Sequence, residues 1–186
     1  MQLVYETHAI TTDNEAGVAT GWLPGRLSER GRATAAELGA RRRDDGLAAV
    51  IVSDLERALE TVRIAFAGSP IPVVVDARLR ECNYGRRNGM PRAALDAERA
   101  SHLDEPWPDG ESYRDVVART ALFLDDLVAR WEAKRVLVVA HSANKLCLDH
   151  LLLGADLGEH IERPMDWQPG WEYRVPTDWR APTSAR

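Results

Sequence analysis

The chain has 186 residues, of which 45% are hydrophobic and 28% are charged, and its formal net charge is -5. This length and composition indicate one globular domain over residues 1–186 and exclude a disordered chain. The negative net charge and the scattered basic residues argue against a nucleic-acid-binding surface.

Apolar strand patterns and amphipathic helix patterns alternate along the chain. A strand is predicted at residues 3–5, and a helix follows from the N-cap Ser28 to about residue 43. A strand at 48–52 precedes a helix capped by Asp54, and a third strand is predicted at 71–75. Ser112 caps a long helix, and a strand at 136–140 leads into a last helix after His141.

This alternation predicts the fold class. Strand–helix units favour a three-layer α/β/α domain, in which helices flank a mostly parallel sheet. The polar stretch at 85–111 contains three prolines and breaks the pattern. We predict that it is a small inserted loop or cap region of the single domain.

Four ionisable residues follow successive predicted strands: His8, Arg57, Glu81 and His141. Ligands of open α/β sheets bind beyond the carboxyl ends of the strands, so we expect these side chains to meet there. Two histidines and an arginine suit a phosphate group, and a neutral imidazole can attack phosphorus directly. Glu81 can protonate the leaving alkoxide and then activate water. This chemistry needs no metal and no cofactor.

Structural roles are the alternative for these residues. Arg57 can instead pair with Glu56 or Glu60 on a helix surface, and Glu81 can form salt bridges with neighbouring arginines. His102, His150 and His160 lack a position at a strand end, and we interpret them as structural or surface residues. Trp22, Tyr84 and Trp107 are candidates for an apolar wall of the pocket.

Several segments, in order, resemble the motifs of the histidine phosphatase superfamily, which includes the cofactor-dependent phosphoglycerate mutases. They are Thr7-His8-Ala9 with Asn14, Ser53-Asp54-Leu55-Glu56-Arg57-Ala58 with Thr61, Leu79-Arg80-Glu81 with Tyr84, Gly110-Glu111-Ser112 with Arg119, and Val138-Val139-Ala140-His141-Ser142. The resemblance implies a phosphoglycerate mutase-like fold.

The resemblance also implies roles for single residues. His8 would be the phosphorylated nucleophile, Arg57 and His141 would bind the phosphate, and Glu81 would be the proton donor. The residues implied as substrate contacts are Thr7, Asn14, Thr20, Gly21, Tyr84 and Ser142.

Thr7 departs from the family pattern, which has an arginine before the nucleophilic histidine. Losing one charge-assisted hydrogen bond weakens phosphate binding roughly ten- to a hundredfold, unless another group replaces it. Lys145, Arg86 and Arg87 are candidates for a replacement cation.

Two functions remain open on the sequence. The favoured one is a phosphomonoesterase that acts on a small phosphorylated metabolite through a phosphohistidine. The alternative is a divergent member without phosphatase activity, either a regulatory pseudoenzyme or an enzyme for a substrate that lacks phosphate. A mutase is less favoured, because a mutase must shield its phospho-enzyme from water and the 85–111 insertion is modest.

The sequence also gives expectations about location and partners. We find neither a signal peptide pattern nor an apolar run of the roughly 20 residues that span a bilayer. Cys82 and Cys147 are far apart and lack metal-ligand spacing, which indicates free thiols in a reducing compartment. We expect a cytoplasmic protein that binds neither nucleic acid nor membranes. A homodimer is compatible with the sequence.

Overall fold

The computed structural model describes residues 1–163 and 165–182. Its strands are β1 (Gln2–Thr7), β2 (Val18–Ala19), β3 (Ala49–Val52), β4 (Val73–Val75), β5 (Met90–Pro91), β6 (Arg135–Ala140) and β7 (Trp171–Arg174). The central sheet has the order β4-β3-β6-β1-β7. Strands β1, β3, β4 and β6 are parallel, whereas β7 pairs with β1 in the antiparallel direction.

The helices are α1 (Thr12–Glu15), α2 (Glu29–Arg42), α3 (Glu56–Ala65), α4 (Arg92–Glu98), α5 (Tyr113–Arg130), α6 (Ser142–Leu153) and α7 (Leu157–Glu162). Successive side chains of a strand point to opposite faces of the sheet, so each buried strand contributes side chains to a hydrophobic core on either face. Val4 and Val139 pack with Leu38 and Val62 of α2 and α3. The opposite face packs against α5 and α6. The predicted three-layer α/β/α fold with a mostly parallel sheet is confirmed.

The helix starts at Ser28 and Ser112 are as predicted, because each side-chain oxygen accepts a backbone N–H of the first turn. The prediction that Asp54 caps the next helix is wrong. Leu55 occupies the N-cap of α3, and no side-chain hydrogen bond caps that helix. The carboxylate of Asp54 instead accepts two hydrogen bonds from the guanidinium of Arg80, at 2.8 and 2.5 Å.

Strand β7 has no counterpart among the predicted strands. It alternates inward and outward side chains over only four residues, and Tyr173 is its buried member. It covers the open edge of β1, which otherwise would expose unpaired backbone groups. The third predicted strand is shorter than expected, since only Val73–Val75 pair with β3.

Residues 85–111 have more regular structure than the predicted loop. β5 pairs with β2, and α4 follows directly from β5. Trp107 and Leu95 are buried in a core that this region shares with Val116 of α5 and Leu146 of α6. This packing fixes α4 beside the carboxyl end of the sheet.

Among the described residues, no helix combines the length and the apolar character that crossing a membrane requires. Cys82 and Cys147 are both buried and neither forms a disulfide.

Candidate active site

A cavity of about 240 Å³ opens at the carboxyl ends of the parallel strands. Nine of the ten sequence-predicted site residues line it: Thr7, His8, Asn14, Thr20, Gly21, Arg57, Glu81, Tyr84 and Ser142. The tenth, His141, has no exposed surface and lies behind His8, with 5.0 Å between the two ring centroids. Parallel strands bring these residues together although they span most of the chain.

The ring of His8 is held in one orientation. Its Nδ1 lies 2.8 Å from the carbonyl oxygen of Ala9, which is an acceptor only, so Nδ1 carries the proton. Its Nε2 therefore keeps a lone pair, and that lone pair accepts a hydrogen bond from Nε of Arg57 at 3.2 Å. Burial and the adjacent Arg57 charge lower the pKa of His8 to about 3. The imidazole is thus neutral near pH 7 and presents Nε2 to the cavity.

Arg57 is anchored by the loop that follows β2. Its Nη2 donates to the carbonyl oxygen of Gly21 at 2.8 Å, and its Nε is the group that reaches His8. The helix-surface alternative is excluded, because Arg57 is buried while Glu56 pairs with Arg63 and Glu60 pairs with Arg32. The guanidinium is a fixed cation beside the nucleophile candidate.

His141 ends β6 and is held from two sides. Its Nε2 lies 2.9 Å from Oγ of Ser53, and its carbonyl oxygen accepts a hydrogen bond from the hydroxyl of Tyr5. Burial lowers the pKa of His141 well below 6.5, and the charge of Arg57 acts in the same direction. Its Nδ1 is buried without a hydrogen-bond partner among the described residues.

Glu81 points into the cavity from the segment after β4. Its Oε1 accepts the backbone N–H groups of Cys82 and Ala143, at 2.8 and 3.2 Å, and its Oε2 accepts the hydroxyl of Ser142 at 3.0 Å. The carboxylate therefore sits at the N-terminal turn of α6, where backbone donors and the helix dipole favour an anion. Ser142, predicted as a substrate contact, positions Glu81.

Arg119 of α5 holds the segment that carries Glu81. It donates to the backbone carbonyl oxygens of Arg78, Arg80 and Glu81, at 2.6, 2.8 and 2.9 Å. Its Nε also donates to the carboxylate of Glu111 at 2.8 Å. Arg119 belongs to one of the segments that resemble the family motifs. No local sequence pattern indicates that its guanidinium contacts a backbone carbonyl oxygen about forty residues earlier in the chain.

The loop between β2 and α2 closes one side of the cavity. Thr20 donates its hydroxyl to Asp13 at 2.8 Å. Gly21 has φ +56°, and a Cβ there would lie 1.9 Å from Oδ1 of Asn88. Only glycine fits this close approach. Oδ1 of Asn14 accepts the backbone N–H of Thr11, and this hydrogen bond holds the Asn14 side chain in place where the residue lines the cavity.

The three cations predicted as replacements for an arginine at Thr7 lie outside the cavity lining. Lys145 pairs with Asp149, and Arg86 and Arg87 pair with Asp109 and Glu98. Arg92, the first residue of α4, does line the cavity. No sequence pattern indicates Arg92 as a site residue, because it lies in the polar 85–111 region, where it has no neighbouring motif.

Two of the three predicted aromatic wall residues have other roles. Trp107 is fully buried and stacks on His102. The indole of Trp22 donates to the carbonyl oxygen of Glu81 at 2.7 Å, and Trp22 is absent from the cavity lining. Tyr84 and Trp167 are aromatic residues that line the cavity.

Within residues 1–163 and 165–182, no group of three or more histidine, cysteine, aspartate or glutamate side chains is arranged to hold a metal ion.

Several known proteins are similar to this chain in sequence and fold. The chain is 31% identical over 167 residues to the probable phosphoglycerate mutase GpmB of Erwinia tasmaniensis. The aligned region covers 83% of this chain and 75% of that relative. It is similar to the structure of Bacillus stearothermophilus YhfR, with a TM-score of 0.82 and 29% identity over 94% of this chain and 91% of that chain. It is also similar to mycobacterial glucosyl-3-phosphoglycerate phosphatase, with a TM-score of 0.74 and 28% identity over 86% of this chain and 82% of that chain.

A family model described as histidine phosphatase superfamily (branch 1) matches residues 7–168. The matched range begins one residue before His8 and contains Arg57, Glu81 and His141. The resemblance found in the sequence is confirmed: the chain belongs to branch 1 of the histidine phosphatase superfamily.

Proposed function

We propose that this protein hydrolyses a small phosphate monoester through a phosphohistidine on His8. The observation that carries the proposal is the contact between a neutral His8, whose Nε2 faces the cavity, and Nε of Arg57 at 3.2 Å. A nucleophilic lone pair and a fixed cation at one point are what attack on a phosphoryl group requires.

In the first step, Nε2 of His8 forms a bond to phosphorus and the ester P–O bond breaks. The electron pair of that bond goes to the leaving oxygen, which takes a proton from Glu81; the Glu81 carboxylate receives this proton from the phosphate monoanion as the substrate binds. Arg57 neutralises charge on the phosphoryl oxygens as the transition state forms. Its Nε–H leaves Nε2 of His8 and turns to the substrate when the phosphate enters.

In the second step, water replaces the alcohol. Glu81, now a carboxylate, takes a proton from water as the water oxygen attacks phosphorus, and the N–P bond breaks. The electron pair of that bond returns to Nε2, so neutral His8 and inorganic phosphate are restored. Buried His141 packs against His8 with the two ring planes tilted by 56°, and Ser53 contacts the His141 ring at Nε2.

The test is the mass of the intact protein after mixing with a panel of phosphorylated metabolites. We expect an acid-labile gain of one phosphoryl group that accumulates in Glu81→Gln, because hydrolysis of the intermediate is slowed. His8→Ala removes the gain, whereas His102→Ala, a histidine outside the cavity lining, retains it. Absence of the gain on every substrate, with Glu81→Gln folded, contradicts the proposal.

Thr7 favours a second candidate, a binding protein or enzyme for a substrate without phosphate. The cavity lacks the arginine expected at this position, and the three predicted replacements lie elsewhere. Calorimetry with inorganic phosphate separates the two functions. Millimolar or tighter binding supports the phosphatase, and no binding of phosphate supports the second candidate.

We propose hydrolysis rather than mutase activity because the site is open to water. Similar proteins include a probable phosphoglycerate mutase and a sugar-phosphoglycerate phosphatase, so the family admits both reactions. Half of the Arg92 side chain, which lines the cavity, is exposed, and this leaves a path for water.

The cytoplasmic location and the homodimer remain predictions of the sequence. Size-exclusion chromatography measures the oligomeric state.

A further inference from the structure

A second cavity, of about 620 Å³, lies beside the first and against helix α2. Phosphoryl transfer to His8 makes no use of it. The two cavities share four wall residues: Thr7, His8, Ile10 and Trp167. They therefore adjoin at the end of β1, and Trp167 is a wall of both.

One stripe of α2 forms much of the second cavity. The stripe consists of positions three or four apart, which share one face of a helix: Arg30, Ala33, Thr34, Glu37, Leu38 and Arg41. The apolar part of the lining comes from Ala33 and Leu38 of this stripe, from Ala9 and Ile10 after β1, and from Trp167. The volume and the apolar wall are typical of a site for a small organic molecule.

The formal charges of the second cavity cancel. Its lining contains two acidic and two basic side chains: Glu6, Glu37, Arg30 and Arg41. Behind buried Glu6, Arg42 donates to its carboxylate at 2.8 Å and also pairs with Asp45 at 3.0 Å. A cavity without net charge favours an uncharged ligand group. Nε of Arg41 is buried without a hydrogen-bond partner among the described residues, so a group that carries an acceptor suits the cavity.

Trp167 presents a fixed aromatic surface, although 61% of the residue is exposed. The turn that follows it is anchored, because Nη2 of Arg42 donates to the carbonyl oxygen of Pro169 at 3.2 Å. Nε2 of Gln168 donates to the carbonyl oxygen of Gly170 at 2.8 Å. Gly170 packs so closely on Arg42 that a Cβ at this position would collide with Nη2. An exposed indole on an anchored segment is a suitable surface for stacking a flat apolar group.

The alcohol part of the substrate lies on the same side as Trp167. The leaving oxygen must reach Glu81, whose Oε2 accepts the hydroxyl of Ser142. Ser142 and Met165 together line the first cavity and also a small crevice that adjoins it. Met165 precedes Trp167 by two residues, so atoms beyond the leaving oxygen pass Met165 and reach Trp167 and the second cavity.

We propose that the second cavity is a subsite for a flat, uncharged part of the substrate's alcohol, which stacks on Trp167 and extends along α2. The subsite rests on the proposed function, since it holds the alcohol of the same ester. The substrate class is a phosphate monoester of a large alcohol that carries an aromatic or similarly flat apolar group with a hydrogen-bond acceptor. Trp167 determines specificity and takes no part in phosphoryl transfer.

Binding of hydrolysis-resistant phosphonates tests the subsite. Alkylphosphonates of one to four carbons are compared by calorimetry with the same chains ending in a naphthyl ring. We expect the best naphthyl ligand to bind the natural protein about ten- to a hundredfold more tightly than its alkyl partner, because the ring buries apolar surface in the second cavity. Trp167→Ala lowers this ratio about fivefold or more, since it removes the stacking surface.

Ala33→Glu places a carboxylate in the second cavity without touching the lining of the first, and Ala36→Glu is its matched control. Ala33 lines only the second cavity, whereas Ala36 lies on an exposed part of α2 outside both linings. We expect Ala33→Glu to lower the ratio about fivefold or more and Ala36→Glu to change it less than twofold. The two variants have the same net charge, so long-range repulsion of the phosphonate is matched.

Equal affinity of the natural protein for both ligand types overturns the subsite. Retention of the ratio in Ala33→Glu or in Trp167→Ala also overturns it, because the ring then lies elsewhere. Turnover of phenyl phosphate, measured separately, tests the hydrolase itself.

The combined outcomes distinguish the two proposals. Turnover together with equal binding of the two ligand types overturns only the subsite. A naphthyl preference that Ala33→Glu removes, without turnover of any ester, overturns only the hydrolase and supports the subsite. Binding of neither ligand type overturns both proposals.

Discussion

Nε of Arg57 donates a hydrogen bond to Nε2 of His8 at 3.2 Å, across 49 positions of sequence. The contact joins the first turn of α3 to the end of β1, and it holds the lone pair of a neutral imidazole toward the cavity. In the proposed reaction, this N–H group turns from Nε2 of His8 to the phosphoryl oxygens.

Replacing Arg57 tests this relationship. Arg57→Gln shortens the side chain and removes the charge and the paired donors, so we expect kcat/KM for an aryl phosphate to fall at least a hundredfold. Steady-state kinetics measures the change. Arg63→Gln, on the exposed part of the same helix and paired with Glu56, is the control and should leave kcat/KM unchanged. A tenfold or smaller effect of Arg57→Gln contradicts the assigned role.

The support of Glu81 by Arg119 gives a second prediction. Arg119→Met leaves three backbone carbonyl oxygens and the Glu111 carboxylate without their partner, and we expect a loss of about 3–5 kcal/mol in the free energy of unfolding. Urea denaturation measures the loss. Arg119→Lys keeps the charge with fewer donors, and in this folded variant we expect hydrolysis of the phospho-enzyme to slow more than its formation. An equal effect on both steps shows that Arg119 has no specific influence on Glu81.

The pKa of His8 predicts how stability depends on pH. Its pKa is about 3 in the folded protein and about 6.5 in an unfolded chain, so between these values the unfolded chain binds the extra proton. The free energy of unfolding therefore falls as pH drops from about 6.5 toward 3, by up to about 1.4 kcal/mol per pH unit from this group. Above pH 6.5, His8 is neutral in both states and makes no contribution to the pH dependence of the free energy of unfolding.

Urea denaturation of the natural protein and His8→Gln across pH 4 to 7 measures this contribution. The variant lacks the titrating group, so its stability should decline less steeply below pH 6.5. His141 shifts in the same direction, and for that reason part of the acid dependence persists in His8→Gln. Parallel stability curves for the two proteins contradict a strongly lowered pKa for His8.

Thr7 offers a test by gain of function. It lines the cavity at the end of β1, one residue before His8, and stands where the family resemblance predicts an arginine. Thr7→Arg adds a charged donor to the phosphate site, and we expect inorganic phosphate to bind about tenfold more tightly. Calorimetry measures the dissociation constant. Gln2→Arg adds the same charge at the opposite end of the same strand and should change phosphate affinity less than twofold.

The sequence by itself determined the order of the main strands and helices and the positions of His8, Arg57, Glu81 and His141. Buried parallel strands are short apolar runs that local periodicity reveals, and their carboxyl ends share one edge of the sheet. The sequence alone therefore predicts that residues directly after such runs lie close together at that edge. The motif spacing added the family, which the match over residues 7–168 confirms.

Only the tertiary structure decided which of these residues face the cavity and what holds them. His141 is enclosed behind His8, Asp54 binds Arg80 instead of capping α3, and β7 covers the edge of β1. The support of Glu81 by Arg119 and the charge of Arg92 at the cavity likewise appear only in three dimensions. Each depends on side chains that meet across tens of residues, and local sequence patterns contain no record of such contacts because they report only neighbours along the chain.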